Sequence, residues 1–232
     1  MTENNTTEGN DIGEKIAKIK EYLETFDHQN ETKSIHGFVD LLKKINIKMA
    51  VFDFDLTLIG KHSGTYNIPM CGYIDKLNDI EDIGTSVTNA FKILSKRLYE
   101  NNIKITVATF SDDETIRYSK GKSSSLIAGE ELIQHCIKHS NCETKIERVY
   151  AYYPYYYKEP KKYMALGLKE PMSNDKSYHL KRIRNEFSVN IDEMIFFDDD
   201  VKNCISAKKE GYITFNVIGK KGFNFKDIKL MQ

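Results

Sequence analysis

Nowhere in the 232 residues is there an apolar run approaching the 18 or so that a spanning helix needs, which argues against a transmembrane segment. The opening MTENNTTEGND holds neither a basic nor an apolar stretch, so no secretory signal is predicted. Without secretion the sequons opened by Asn4 and Asn5 are chance matches. Net charge is absent too. Lys+Arg and Asp+Glu stand at 34 each, so no global field draws the chain to an anionic membrane or to nucleic acid, and neither is expected as a partner. Cysteine is scarce: Cys71, Cys136, Cys142 and Cys204 lack a framework spacing, which predicts free thiols in a reducing, cytoplasmic compartment. No internal repeat is found. What remains is a globular composition, 40% hydrophobic and 29% charged, in a length that suits one core.

Residues 1–11 are polar and without periodicity and read as a flexible tail. Residues 12–45 read as an N-terminal helical extension: Ile12, Ile16, Ile19, Leu23 and Phe26 recur at three- and four-residue steps, and SIHGFVDLLKKI forms a second helix. From 46 to 232 short apolar strands alternate with amphipathic helices. KMAVFDFD is followed by about 25 residues of loop character, then the helix TSVTNAFKILSKRLYENN and the strand IKITVAT. Later units are AGEELIQHCIKH, KIERVYAYY, DKSYHLKRIRNEF, DEMIFFDDD, VKNCISAKKEG and YITFNVIG. The alternation predicts a doubly wound α/β domain whose parallel sheet is covered on both faces.

In such a sheet ligands bind beyond the C-terminal strand ends at a topological switch point. The first strand ends in Asp53 and Asp55, which side-chain alternation places on one face. Thr109 and Ser111 end another strand, and Asp198, Asp199 and Asp200 a third. A single strand-end acid usually faces solvent or caps a helix. A group of them in a partly dry crevice costs several kcal/mol per ion, which calls for a cation. Carboxylates with room for water suit Mg²⁺ far better than zinc, which prefers His and Cys.

DFDLT, then Thr109 after an apolar strand, a Lys ahead of a helix and FFDDD after another strand together resemble the four motifs of the haloacid dehalogenase-like (HAD) phosphohydrolase superfamily. DKSYHLKRIRNEFSVNIDEMIFFDDDVKNCISAKKEGYITFNV is similar to its magnesium-dependent phosphatase branch, and the resemblance spans roughly residues 45–220. It implies an aspartyl-phosphate on Asp53, with Asp55 as general acid and base. It also implies a phosphoryl hydrogen bond from Thr109, with Ser111 a weaker candidate, while Thr57 steadies the loop. Lys176, about 22 residues before the acid pair, is the expected partner of the nucleophile, with Lys181 as fallback. Magnesium would take Asp53, the Asp55 carbonyl and a carboxylate of the Asp198/Asp199 pair, Asp199 favoured as the direct ligand. The branch implies a phosphorylated protein, phosphotyrosine in particular, or a sugar phosphate as substrate. The short intervals between motifs imply an essentially capless site. Oligomeric state is left open.

The Tyr-rich run VYAYYPYYYKEPKKY lies between the second and third motifs. Its rings either pack on the domain or wall the crevice, where Tyr155 would meet substrate. His62, just past the first motif, is placed similarly. GKSSS at Gly121 lacks the upstream glycine of a P-loop, since position 116 is Ile. Cys142 and Arg148 have the spacing of a cysteine phosphatase, but two Glu and no Gly intervene. His135, Cys136, His139 and Cys142 on one helix are expected to pack or meet solvent rather than bind zinc. The competing class is a binding or scaffold module that keeps this fold and uses the Tyr-rich run as a contact surface. Its mark would be a lost motif residue, and none is lost.

Overall fold

The computed structural model describes residues 6–25, 27, 29–63, 73–75, 86–118 and 126–231. Cys71, the Gly121 segment and most of the loop that follows the first motif lie outside them. The helices are α1 (Thr6–Glu24), α2 (Glu31–Lys44), α3 (Asn89–Glu100), α4 (Glu114–Tyr118), α5 (Gly129–His139), α6 (Pro160–Ala165), α7 (Ser177–Phe187) and α8 (Val201–Lys209). Strands β1 (Met49–Phe52), β3 (Lys104–Thr109), β5 (Ile146–Ala151), β6 (Met194–Asp198), β7 (Ile213–Val217) and β8 (Ile228–Leu230) form one sheet in the order β5-β3-β1-β6-β7-β8. All its pairings are parallel except that of the edge strand β8 with β7. β2 (Tyr73–Asp75) and β4 (Leu126–Ala128) make a separate antiparallel pair.

Period-two alternation sorts the buried strands into two cores. Met49, Val51, Met194 and Phe196 face Leu180 and Ile183 of α7 and Ala207 of α8. Ala50, Phe52, Ile195 and Phe197 face the opposite layer, built from Phe38 and Leu42 of α2, Phe91 and Leu94 of α3, and Leu132 of α5. On that face Phe52 stacks on Phe197 at 4.7 Å and Phe197 on Phe215 at 4.8 Å, a ladder set by the register of the strands. Phe38 meets Phe215 edge-on at 5.8 Å. Four α2 residues, Ile35, Phe38, Val39 and Leu42, are fully buried, each worth about 1.5–3 kcal/mol. The second helix of the extension is therefore a layer of the core, and α1 is tied to it by Ile19 and by an ion pair from Lys15 to Asp192.

Three details differ from the sequence reading. α1 starts at Thr6, inside the stretch read as a tail, because helix growth is cooperative and carries through polar residues that show no periodicity. The long loop contains β2, and the sheet gains β8; each is three residues, too short for alternation to register. The chain runs outward from β1 through β3 to β5, then returns to the other side of β1 for β6. β1 therefore lies at the switch point, the position at which sheets of this kind bind ligands beyond their strand ends.

Candidate active site

β1 ends at Phe52, so the alternation expected to align Asp53 with Asp55 stops there. Asp53 is extended and hands over to a π-turn, Phe54–Ile59, closed by the Ile59 N–H donating to the Phe54 carbonyl at 3.1 Å, with Asp55 and Leu56 outside helical dihedrals. Leu56 takes φ 56° within it, a left-handed conformation that costs a non-glycine residue on the order of 1 kcal/mol. Full burial of Phe54 and Leu58 offsets it. The turn sends the two acids to different partners. The Asp55 carboxylate accepts the Ser63 N–H at 3.0 Å and lies 3.7 Å from His62 Nδ1, a contact that raises the His62 pKa. Asp53 turns to Lys176.

Lys176 is 1% exposed, yet its ammonium is fully engaged. Nζ donates to Asp53 Oδ1 at 2.8 Å and to the Ala108 carbonyl at 2.8 Å, and sits 3.8 Å from the Phe110 ring centre. Asp175 builds this position. It accepts the Ser177 N–H at the start of α7 and the Ser206 hydroxyl of α8, locking the two helices together where Lys176 departs. Lys181 points elsewhere, pairing with Glu210 at 3.3 Å on the surface.

Asp53, Asp198 and Asp199 form a group whose ligand atoms all lie within 4.8 Å of one another. Asp198, the last residue of β6, is fully buried; its carboxylate accepts the Asp200 N–H at 2.8 Å and the Asn203 amide at 3.0 Å. The Asn216 amide donates to the carbonyls of Asp198 and Asp199. Burial, then the charge of Asp53, raises Asp198 well above the usual carboxylate range and Asp199 to about 7. Burial raises Asp53 as well, against the pull of Lys176. Three carboxylates with one shared ammonium leave unbalanced negative charge. This donor set, all hard oxygen with neither imidazole nor thiolate, fits a divalent cation such as Mg²⁺.

Thr109 ends β3 beside the Ala108 carbonyl, and its hydroxyl accepts the Ser111 N–H at 3.0 Å. Ser111 is turned into the fold, its hydroxyl accepting the Gly129 N–H at 3.0 Å. Thr57 is buried; its hydroxyl has no partner, and its carbonyl accepts the Phe223 N–H. The Tyr-rich run is docked rather than loose. Asp112 accepts the Tyr153 N–H at 2.8 Å and the Tyr157 hydroxyl at 3.0 Å, which fixes the turn Pro154–Tyr157 against the end of β3. Tyr155 is 66% exposed and reaches the site only through a chain of rings, Tyr155 to Tyr153 at 6.1 Å and Tyr153 to Phe110 at 6.0 Å.

Phe110, Asp112, Asp175, His179, Asn203 and Asn216 were not anticipated. All but Asn203, which bonds the Asp198 carboxylate five residues back, act on a partner distant in sequence or on backbone atoms, and nothing in spacing marks such contacts. His135 and His139 stack on the surface of α5 at 6.2 Å and belong to no metal-ligating group among the described residues. Cys142 meets the Ser95 hydroxyl while Arg148 pairs with Glu186, so the two do not converge. Among the described residues no helix is long and apolar enough to cross a membrane. No family model matches the chain, and no curated protein is significantly similar to it in sequence.

Proposed function

We propose that the protein is a Mg²⁺-dependent phosphomonoester hydrolase of the HAD type, working through an aspartyl-phosphate on Asp53. The observation that carries this reading is the buried ion pair of Lys176 with Asp53, set 2.8 Å apart within the group of three carboxylates at the switch point. An ammonium that buried, bonded to one acid of a mutually repelling cluster, is poorly explained by stability alone.

Asp53 attacks phosphorus with one carboxylate oxygen while the ester P–O bond breaks. Asp55, outside the carboxylate group and facing the more open His62 side, protonates the departing oxygen. It then takes a proton from the water that attacks the phosphoaspartate, releasing phosphate and freeing Asp53. Lys176 holds the nucleophile in place and neutralises phosphoryl oxygens; Thr109 offers its hydroxyl to one of them. Asp53, Asp198, Asp199 and the Asp55 carbonyl would hold Mg²⁺, which when bound supplies charge stabilisation of the phosphoryl oxygens. Asp199 is the favoured direct ligand, since Asp198 is occupied by Asp200 and Asn203. The substrate is a phosphorylated protein, phosphotyrosine in particular, or a sugar phosphate.

The test is hydrolysis of para-nitrophenyl phosphate by the purified chain with Mg²⁺, with a chelator, and with Asp53→Asn. Turnover that needs Mg²⁺ and falls by at least about 10³-fold in the variant is expected. A folded, Mg²⁺-binding protein without turnover on this ester or on a panel of phosphopeptides and sugar phosphates would instead favour a binding module.

A further inference from the structure

His179 lies one turn along α7 from Lys176 and is 0% exposed. Its Nε2 sits 3.2 Å from the Thr109 carbonyl and 3.0 Å from the Tyr152 carbonyl. Carbonyls only accept, so Nε2 carries the hydrogen and donates to both. Nδ1 is left buried without a partner among the described residues. Burial, and next the charge of Lys176, push its pKa down to about 3 and keep the ring neutral.

An orphaned ring nitrogen is a cost that leucine would avoid at the same site. What histidine adds is the donor at Nε2. Together Lys176 and His179 place two donors from one helix on consecutive carbonyls, Ala108 and Thr109, at the end of β3. The Phe110 ring between those donors contacts both, 3.8 Å from Lys176 Nζ and 5.7 Å from the His179 ring. The Thr109 carbonyl also accepts the Tyr152 N–H at 3.1 Å, so His179 closes a junction of β3, the end of β5 and α7.

We propose that His179 is a positioning residue that fixes the Thr109 peptide, and through it the Thr109 hydroxyl, relative to Lys176 by donating to the Thr109 and Tyr152 carbonyls. This rests on the reading of Asp53 and its neighbours as a phosphoryl-transfer site. A shift of the Thr109 peptide moves its hydroxyl away from the oxygen it would contact, and misplacement on the order of 1 Å costs about 10²-fold in rate.

The experiment compares wild type, His179→Leu, which keeps the volume and loses the donor, and His179→Gln, whose amide restores a donor near Nε2. Para-nitrophenyl phosphate hydrolysis, binding of inorganic phosphate with Mg²⁺ by calorimetry, and thermal stability are measured on each. His179→Leu is expected to lose about 10- to 100-fold in kcat with KM changed less than about threefold, and to bind phosphate about tenfold more weakly. Its melting temperature stays near that of wild type, and His179→Gln recovers most of both losses. If His179→Leu does not fold, His179→Asn, whose amide stops short of the two carbonyls, takes its place in the comparison. An active wild type with an equally active His179→Leu overturns the proposal, as does a His179→Gln no better than the leucine variant. A wild type that binds phosphate but hydrolyses nothing overturns the phosphatase reading alone, and the phosphate affinities still decide the role of His179. A wild type that does neither overturns both.

Discussion

The two ends of β6 both carry buried acids, and the protein treats them in opposite ways. At the N-terminal end Glu193 accepts the Asn190 N–H, the Asn46 amide and the Lys48 ammonium, while neighbouring Asp192 is paired with Lys15. Burial pushes Glu193 up, but Lys48 and the Asn190 N–H more than reverse it, and its carboxyl stays below the usual range. At the C-terminal end Asp198 feels Lys176, which is bonded to Asp53, and Asp199 feels only His62; among the described residues neither has an ion pair of its own, and both rise. A structural acid is saturated with donors and counter-charge. Acids left repelling one another are held so by the fold, and the proposed Mg²⁺ site rests on that arrangement.

The contrast breaks most sharply under substitution. Asp199→Asn is expected to lower Mg²⁺-dependent hydrolysis by about 10²-fold or more, since it removes the proposed direct cation ligand at the point of charge development. The same change should leave the chelated protein as stable or more so, because it deletes one of the repelling charges. Glu193→Gln predicts the reverse: activity within about twofold of wild type, and a loss of about 1–3 kcal/mol in urea unfolding as Lys48 loses its counter-charge and one of the two acceptor oxygens becomes a donor. If both variants lost stability alike, the two ends of β6 would not differ as described.

Much of this was readable beforehand, for physical reasons that can be named. Phe52 and Phe197 each end an apolar run of strand length, and the acids that follow mark the C-terminal ends of those strands. The choice of Lys176 over Lys181 followed from its place just ahead of a helix. The π-turn was not readable, because Leu56 adopts its left-handed conformation without the glycine that usually announces one. Nor was the role of α2 as a core layer: its apolar face was plain, but what the face covers depends on Phe215 and Phe225, far along the chain. His179 was hidden for the same reason, since its partners are carbonyls on two other elements.

Titration sharpens the comparison further. The raised carboxyls at the C-terminal end, Asp199 at about 7 among them, hold protons in the folded state that the unfolded chain has released. Their contribution to stability is full below about pH 4, the unfolded value, and is lost as pH rises through the folded values. His179, depressed to about 3, works in the opposite sense: its contribution is present above about pH 6.5 and is lost as pH falls towards 3. A difference measurement separates them. On the proposed reading Mg²⁺ binds the ionised acids and does not contact His179, so the stability gained on adding Mg²⁺ should grow between pH 5.5 and 8, by up to about 1.4 kcal/mol per pH unit for each proton displaced. A gain that is flat with pH would mean the cation does not bind these carboxylates.

The smallest effect concerns Asp112, which tests what neutral donors contribute to a buried acid. It accepts the Glu114 N–H, the Tyr153 N–H and the Tyr157 hydroxyl, yet burial still raises its pKa. Tyr157→Phe removes one of those donors and is expected to cost about 1 kcal/mol, within the usual range for a lost buried hydrogen bond. Tyr155→Ala, on the same turn but exposed, should change stability by less than about 0.5 kcal/mol. Unlike Glu193, which Lys48 neutralises, Asp112 has in Tyr157 only a neutral donor, and neither variant should alter the dependence of hydrolysis on Mg²⁺. A Tyr157→Phe protein of unchanged stability would show that Asp112 is held by burial and its backbone donors alone.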